Sequence, residues 1–469
     1  MDIAKEFTRY VAYLSEGLGH ADRHAGLSGY CTGLMLPLSR KSVEPMAASV
    51  DPLHASARHQ ALHHFVAKSE WSDAQLMARV CDWVVPTLGL ESGCYWIIDD
   101  TGFPKKGKHS VGVARQYCGQ LGKQDNCQVA VSLSVASEQG SLPIAYQLYL
   151  PKDWAADPVR RKAAGVPQEV AFVSKPDIAL GQMRQAVADG VRMGVVLADA
   201  GYGDETAFRD GITELGMLYA VGIRPGTTVW APGTQPLPPK AWSGRGAKPT
   251  RLRREPGNEP VGVKSLAMAL DEKSWRTVTW REGSNSDLCS RFAALRVRPA
   301  HRDNWGGCMR PQEWLLIEWP ENESEPTKYF MSTAPNDATL EQLVFVTKMR
   351  WRIERDYQDL KQEFGLGHYE GRGWRGFHHH ATLSIAAYGF LMAQRLKAGG
   401  GAGGKKKFIQ RQVPAIPEDY IPRGSPARAT SRGGLDHDDT PAPERRTHKR
   451  HGTLPSLQVG QPKIDFMTQ

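Results

Sequence analysis

Three acidic places in the sequence have the residue types and settings to do chemistry. The pair Asp99-Asp100 ends the apolar run Tyr95-Trp96-Ile97-Ile98, Asp199 ends the run Val195-Val196-Leu197-Ala198, and Glu354 sits in the segment Arg350-Trp351-Arg352-Ile353-Glu354. A carboxylate at the end of a buried strand needs a cation or a set of hydrogen bonds to compensate its charge. Strand ends are also where an α/β sheet binds its ligands. Two neighbouring strands that both end in Asp bring like charges together, and these repel unless a divalent cation lies between them. Taken singly, each aspartate is equally explained as the cap of the turn that follows it, with Asp204 the better candidate for capping the helix after Asp199.

Glu354 has Arg350 four residues before it and Lys361 seven after it, so the three side chains share one face of a helix. An amphipathic helix with an ordinary i,i+4 ion pair would look the same. A carboxylate between two cations has a further use: it can hold a metal while the cations hold phosphates. The segment Gly102-Phe-Pro-Lys-Lys-Gly-Lys108 fits the phosphate-loop pattern G-x-x-x-x-G-K. The fit ends there, because His109 stands where Ser or Thr should bind magnesium, Pro104 lacks an N–H, and the residues after Lys108 do not look helical. That leaves Lys105, Lys106 and Lys108 as a basic stretch beside the aspartates.

The elements that must position these residues follow from periodicity. Residues 1–90 repeat apolar positions at helical spacing, with Trp71-Ser72-Asp73 an N-cap signal. The segment 94–100 reads as a strand, and 127–150 as two strands joined at Glu138-Gln139-Gly140. Alternating helices and strands continue to residue 223, which predicts a mixed α/β sheet covered by helices. Residues 224–315, rich in Pro, Gly, Arg and Trp, read as a β-rich insertion. Residues 316–397 resume the α/β pattern, with a long helix over 339–363 and another apolar helix after it. Residues 398–469 lack apolar periodicity and read as a disordered basic tail. The expected organisation is therefore 1–90, 91–223, 224–315, 316–397 and 398–469.

Together the pieces resemble the DDE transposases of bacterial insertion sequences, in the cut-and-paste branch with the Y-(2)-R-(3)-E-(6)-K signature. That signature falls on Thr347, Arg350, Glu354 and Lys361, with every spacing kept and the tyrosine replaced. DDTG at Asp99–Gly102 and LADAGYG at Leu197–Gly203 occur in the right order on strand-like segments. The resemblance implies an RNase-H-like core, with Asp100, Asp199 and Glu354 as catalytic and metal-binding residues; Asp99 stays an alternative to Asp100, since strand alternation sends the two to opposite faces. It also implies two Mg²⁺ or Mn²⁺ ions, which activate the attacking oxygen and stabilise the leaving one. Arg350 and Lys361 would contact DNA phosphates, with Lys105, Lys106 and Lys108 along the same path. One of Trp230, Trp242, Trp275 and Trp280 would stack on a displaced base. The implied partners are double-stranded DNA, at transposon ends and target, and a second copy in the DNA complex. Residues 1–90 would recognise the ends, with Arg40, Lys41, Arg58 and His59 as candidate phosphate contacts, unless those helices simply pack on the core. A DNA-binding regulator derived from a transposase, without cleavage, is the second reading.

Composition sets the frame for this reading. The chain has 469 residues, 41% apolar and 23% charged, enough for two or three domains with a full core. Its formal charge of +9 suits a polyanionic partner. Seven scattered cysteines contain no C-x-x-C pair, which argues against a disulfide framework or a zinc ribbon. Without a long apolar span or a signal pattern, the expected location is the cytosol. His378, His379 and His380 are adjacent on a helix, so they point in different directions and read as structural.

Overall fold

The computed structural model describes residues 2–282, 287–301, 303 and 309–399. Most of the expected tail, residues 400–469 with their basic clusters, and Cys308 lie outside the described residues.

The chain begins with five helices: α1 (Ile3–Ser15), α2 (Arg23–Met35), α3 (Val43–Val50), α4 (Ala55–Ala67) and α5 (Asp73–Val84). In α1, Phe7, Tyr10, Val11 and Leu14 form the buried stripe, and Asp2 caps it by accepting from the amides of Ala4 and Lys5. Ser72 caps α5 as its sequence suggests, accepting from Gln75 N at 3.2 Å. Glycines let α2 approach its neighbours closely. A Cβ at Gly26 would lie 2.6 Å from the Phe65 ring, and one at Gly33 would lie 2.8 Å from Met46.

The sheet follows, with strands β1 (Tyr95–Pro104), β2 (Ala114–Cys118), β3 (Lys123–Ala136), β4 (Ser141–Leu148), β5 (Val195–Ala198), β6 (Tyr219–Ile223), β7 (Thr228–Trp230), β8 (Val261–Gly262), β9 (Arg276–Glu282), β10 (Asp287–Pro299), β11 (Glu313–Trp319) and β12 (Lys328–Ser332). Their order is β2-β3-β1-β5-β6-β12-β11-β10-β7-β8, with β4 on β3 and β9 on β10. β1, β3 and β4 form an antiparallel meander, and β5 and β6 run parallel to β1. This is the RNase-H-like arrangement that the sequence led us to expect. Strand β10 of the expected insertion joins the core sheet through β11 and β12, the latter paired with β6.

Around the sheet lie α6 (Lys152–Ala155), α7 (Pro158–Ala164), α8 (Lys175–Ala188), α9 (Ala200–Gly203), α10 (Thr206–Glu214), α11 (Val263–Met268), α12 (Leu340–Lys348), α13 (Trp351–Gln362) and α14 (Trp374–Lys397). One hydrophobic core runs from Phe7 of α1 to Ala393 of α14, so the N-terminal helices share the core of the sheet. The Tyr10 hydroxyl donates to Ala386 O at 3.0 Å. The three adjacent histidines of α14 act as separate ties. His378 Nε2 accepts from Leu148 N, the nitrogens of His379 lie 3.0 and 2.9 Å from Val66 O and Trp71 O, and those of His380 lie 2.8 and 2.9 Å from Tyr30 Oη and Gly365 O.

Three details differ from expectation. The helix expected over 339–363 is broken between α12 and α13, where Met349 N bonds to both Phe345 O and Val346 O and Ile353 N bonds to Arg350 O at 3.2 Å, a tightening toward three-residue spacing. Asp204 does not cap α10; its Oδ1 accepts from the Thr227 hydroxyl at 2.6 Å and from Arg224 N at 3.3 Å. Lys41 is buried, donates to Leu34 O and Glu363 O, and is pushed down to about 8 by burial. It has no surface from which to reach a phosphate.

Candidate active site

The site is built by β1, the turn after β5, and α13. β1 and β5 are parallel neighbours in which Ile97 faces Leu197. Two residues further along each chain stand Asp99, still within β1, and Asp199, just past the end of β5, so that by alternation both continue the face of Ile97 and Leu197. Asp100 therefore points to the other face. There it meets α8, where Lys175 Nζ lies 2.7 Å from its Oδ2. Of the two adjacent aspartates, the one on the Glu354 side is Asp99, whereas the sequence reading favoured Asp100; alternation along the strand and register with β5 decide this together.

Arg350 ties Asp99 to α13. Its Nη1 lies 3.0 Å from Asp99 Oδ2 and its Nη2 lies 2.8 Å from Glu354 Oε1. The Asp99 side chain is only 18% exposed, while that of Glu354 is 65% exposed. Burial pushes the Asp99 carboxyl up to about 7, against the pull of Arg350, and the negative charges of Asp199 and Asp100 push the same way. Asp199 also caps the short α9, accepting from Gly201 N at 2.8 Å, so capping and proximity to Asp99 coexist in one residue.

Further contacts fix α13 against the sheet. The Tyr357 hydroxyl bonds to Ser132 Oγ, and Ser132 is the cross-strand partner of Asp99. On the next residue back, Asp356 accepts from Ser141 Oγ at 2.7 and 2.6 Å and from the Tyr388 hydroxyl at 2.8 Å. Lys361 Nζ donates to Gly102 O of β1 at 3.1 Å and rests 5.2 Å from the Phe103 ring centroid. Of the basic stretch after β1, Lys105 donates to Tyr369 O at 3.1 Å, and Lys106 and Lys108 are exposed. No helix follows Lys108; the chain turns into β2, which removes the geometry a phosphate loop requires.

A cleft of about 500 Å³ opens here, lined among others by Asp199, Trp280, Thr347, Lys348, Arg350 and Glu354. Of the candidate tryptophans, Trp280 alone lines it. Its ring is supported by Lys348 Nζ, 4.1 Å from the centroid, and that ammonium is held by Glu318 at 2.6 and 2.7 Å. Trp230 is buried and donates to Asp303 Oδ2 at 2.6 Å, Trp275 is buried against Trp319, and Trp242 is exposed with its N–H on Gly246 O. Sequence reasoning missed Lys175, Ser132 and the Glu318–Lys348 pair, which no local pattern marks. Tyr357 carried a signal, since it lies three residues after Glu354.

The donor set suits a hard divalent cation: carboxylate oxygens at facing strand ends, with buried negative charge beside them. The Tyr202 hydroxyl is buried without a hydrogen-bond partner, and Asp100, Asp99 and Asp199 all raise its pKa further. Among the described residues, no group of three or more His, Cys, Asp or Glu side chains is gathered closely enough to share an ion, and in this arrangement the charge between Asp99 and Glu354 is met by Arg350.

Residues 13–287 match the family described as DDE superfamily endonuclease, a span that holds both aspartates and stops before Glu354. A probable transposase for insertion sequence element IS701 from Microchaete diplosiphon is 31% identical over 193 residues, 41% of this chain; this chain spans just under half, 47%, of that relative's length. Among solved structures, a piggyBac transposase synaptic complex with hairpin DNA aligns with a TM-score of 0.42 and 9% identity, over 84% of this chain and 70% of that one. No described helix is long and apolar enough to cross a membrane.

Proposed function

The chain belongs to the DDE superfamily of endonucleases, and from that premise we propose that it is an insertion-sequence transposase that cuts DNA at the ends of its element and joins the freed 3′ end to target DNA. The observation that carries this reading is that Asp199 and Glu354 line one cleft, while Arg350, at the same cleft, is bonded to both Glu354 and Asp99. Similarity to a probable transposase supports it.

We assign Asp99, Asp199 and Glu354 as the residues that would hold Mg²⁺ or Mn²⁺, two ions in the working complex. Such ions lower the pKa of water and neutralise charge on the attacking and leaving oxygens. The protein's own contribution is positioning. The Tyr357–Ser132 and Lys361–Gly102 bonds hold α13 so that Glu354 faces the end of β1. Arg350 and Lys361 take backbone phosphates near the cut, and Lys106 and Lys108 extend the basic path. Trp280, supported from below by Lys348, offers a ring to a base displaced at the cut end. Thr347 lines the same cleft in place of the signature tyrosine and brings no ring for a phosphate contact. The partners under this reading are duplex DNA, at both element end and target, and a second copy of the chain; the exposed faces of the N-terminal helices would recognise the ends, and the protein would work in the cytoplasm.

The test is Glu354→Gln in the full chain, with a duplex carrying the element's end. Magnesium-dependent nicking should disappear while DNA affinity stays within about threefold, since the change removes one charge far from most phosphate contacts. Full nicking by the variant overturns the reading. A wild-type chain that binds ends and never nicks would instead be a DNA-binding regulator.

A further inference from the structure

We propose that Arg350 is an internal counter-ion of the DNA-free protein, holding Asp99 and Glu354 until a divalent cation displaces it, and that its displacement is what frees it for a DNA phosphate. This inference rests on the assignment of Asp99, Asp199 and Glu354 as the metal-holding carboxylates.

The geometry is that of a fork spanning two carboxylates. One guanidinium nitrogen lies 3.0 Å from Asp99 Oδ2 and another 2.8 Å from Glu354 Oε1. A guanidinium can do this because its donors point in fixed, divergent directions, whereas an ammonium is a single point charge. The other signature cation takes no part: Lys361 donates a hydrogen bond to Gly102 O. Asp99 is mostly buried with Asp199 close by, so whenever it is ionised its charge needs an answering cation. In the DNA-free chain Arg350 answers it. A cation that enters between the same carboxylates neutralises the same charge and repels the guanidinium, so the two compete.

Arg350 also lines the open cleft, where a released guanidinium has room to meet a phosphate in a bidentate bond. Metal binding and DNA binding then favour each other through one side chain. Reciprocal coupling of this kind typically amounts to about 5- to 150-fold in affinity. It would keep the carboxylates from holding metal until DNA is present.

The experiment titrates Mn²⁺ into the full-length, DNA-free protein by calorimetry, comparing wild type, Arg350→Met, Arg350→Lys and Arg355→Met, the last removing a guanidinium of α13 that pairs with Asp359. The expected result is a Mn²⁺ dissociation constant at least about fivefold lower in R350M, an intermediate gain in R350K, and a change of under about twofold in R355M. Unchanged or weaker binding in R350M overturns the proposal, as does an equal gain in R355M, which would mean that any lost positive charge suffices. If R350M fails to fold by circular dichroism, R350K decides: affinity equal to wild type overturns the proposal. Asp99→Asn and Glu354→Gln are titrated alongside. If both bind Mn²⁺ as wild type does, the metal assignment itself has failed; if both lose it while R350M behaves as wild type, only the counter-ion role has failed.

Discussion

Asp99 and Asp199 each lie two residues beyond the facing pair Ile97 and Leu197 of neighbouring parallel strands, Asp99 within β1 and Asp199 just past the end of β5. The relationship is a matter of register, and it selects one aspartate of an adjacent pair. Asp100, one residue further along β1, faces away and is answered by Lys175 at 2.7 Å. The same sheet also presents Ser132, the β3 partner of Asp99, to Tyr357, so the strand next to Asp99 helps to orient the helix that carries Glu354.

The two most informative tryptophans should separate function from stability. Trp280→Ala removes a ring at the cleft and should lower cleavage by about tenfold or more, while stability falls by no more than about 1 kcal/mol. Trp230→Ala empties a fully buried site and orphans a bond to Asp303, and should cost about 3–5 kcal/mol. Denaturant midpoints and cleavage rates of the two variants, measured together, check both halves. Equal stability losses would contradict the assignment.

Lys41 should matter to folding and not to DNA. Its ammonium answers the carbonyls of Leu34 and Glu363 inside the protein. Lys41→Met leaves both without that donor and should cost about 1–3 kcal/mol, with DNA affinity of the folded variant unchanged. A variant of wild-type stability with weakened DNA binding would show that the side chain works at the surface after all.

The buried histidines of α14 predict an acid limb in stability. His380 accepts from the Tyr30 hydroxyl through Nδ1 and donates through Nε2 to Gly365 O, an arrangement suited to the neutral ring, and burial lowers it from 6.5 to about 4. Between those values the unfolded chain takes up a proton that the folded chain refuses. Stability is therefore full above about pH 6.5 and falls as the pH drops toward 4, by up to about 3 kcal/mol for this ring. His379 shifts the same way, also to about 4. Urea unfolding at pH 7 and pH 5 should show the loss in the wild type and a smaller one in His380→Gln; equal midpoints at the two pH values in the wild type would contradict it.

Much of this was legible along the chain, and the part that was not is long-range. The i,i+4 spacing of Arg350 and Glu354 is local, and the ion pair is there at 2.8 Å. The strand ends at Asp99 and Asp199 followed from apolar runs. Which face of β1 meets the cleft depends on pairing with β5 about a hundred residues away, and alternation alone gives two equal answers. Lys41 looked like a surface cation because its type is usually one, whereas packing between α2 and the end of α13 buries it. The change of composition marked the β-rich stretch, whereas the pairing that links its β10 to β6, through β11 and β12, is long-range and has no local signal. Trp280 was one of four equal candidates until folding brought it over Lys348.

The central claim is that Asp99, and not its neighbour, joins Asp199 and Glu354 in cleavage. Its most direct test is the rate of magnesium-dependent nicking by Asp99→Asn and Asp100→Asn on the same end-bearing duplex. The account predicts a loss of at least about a thousandfold for D99N, in line with removal of a group that acts in the transition state. For D100N it predicts less than about a tenfold loss, since that change breaks a partly exposed ion pair with Lys175 worth about 1 kcal/mol or less. The reverse order, with D100N inactive and D99N active, would contradict it.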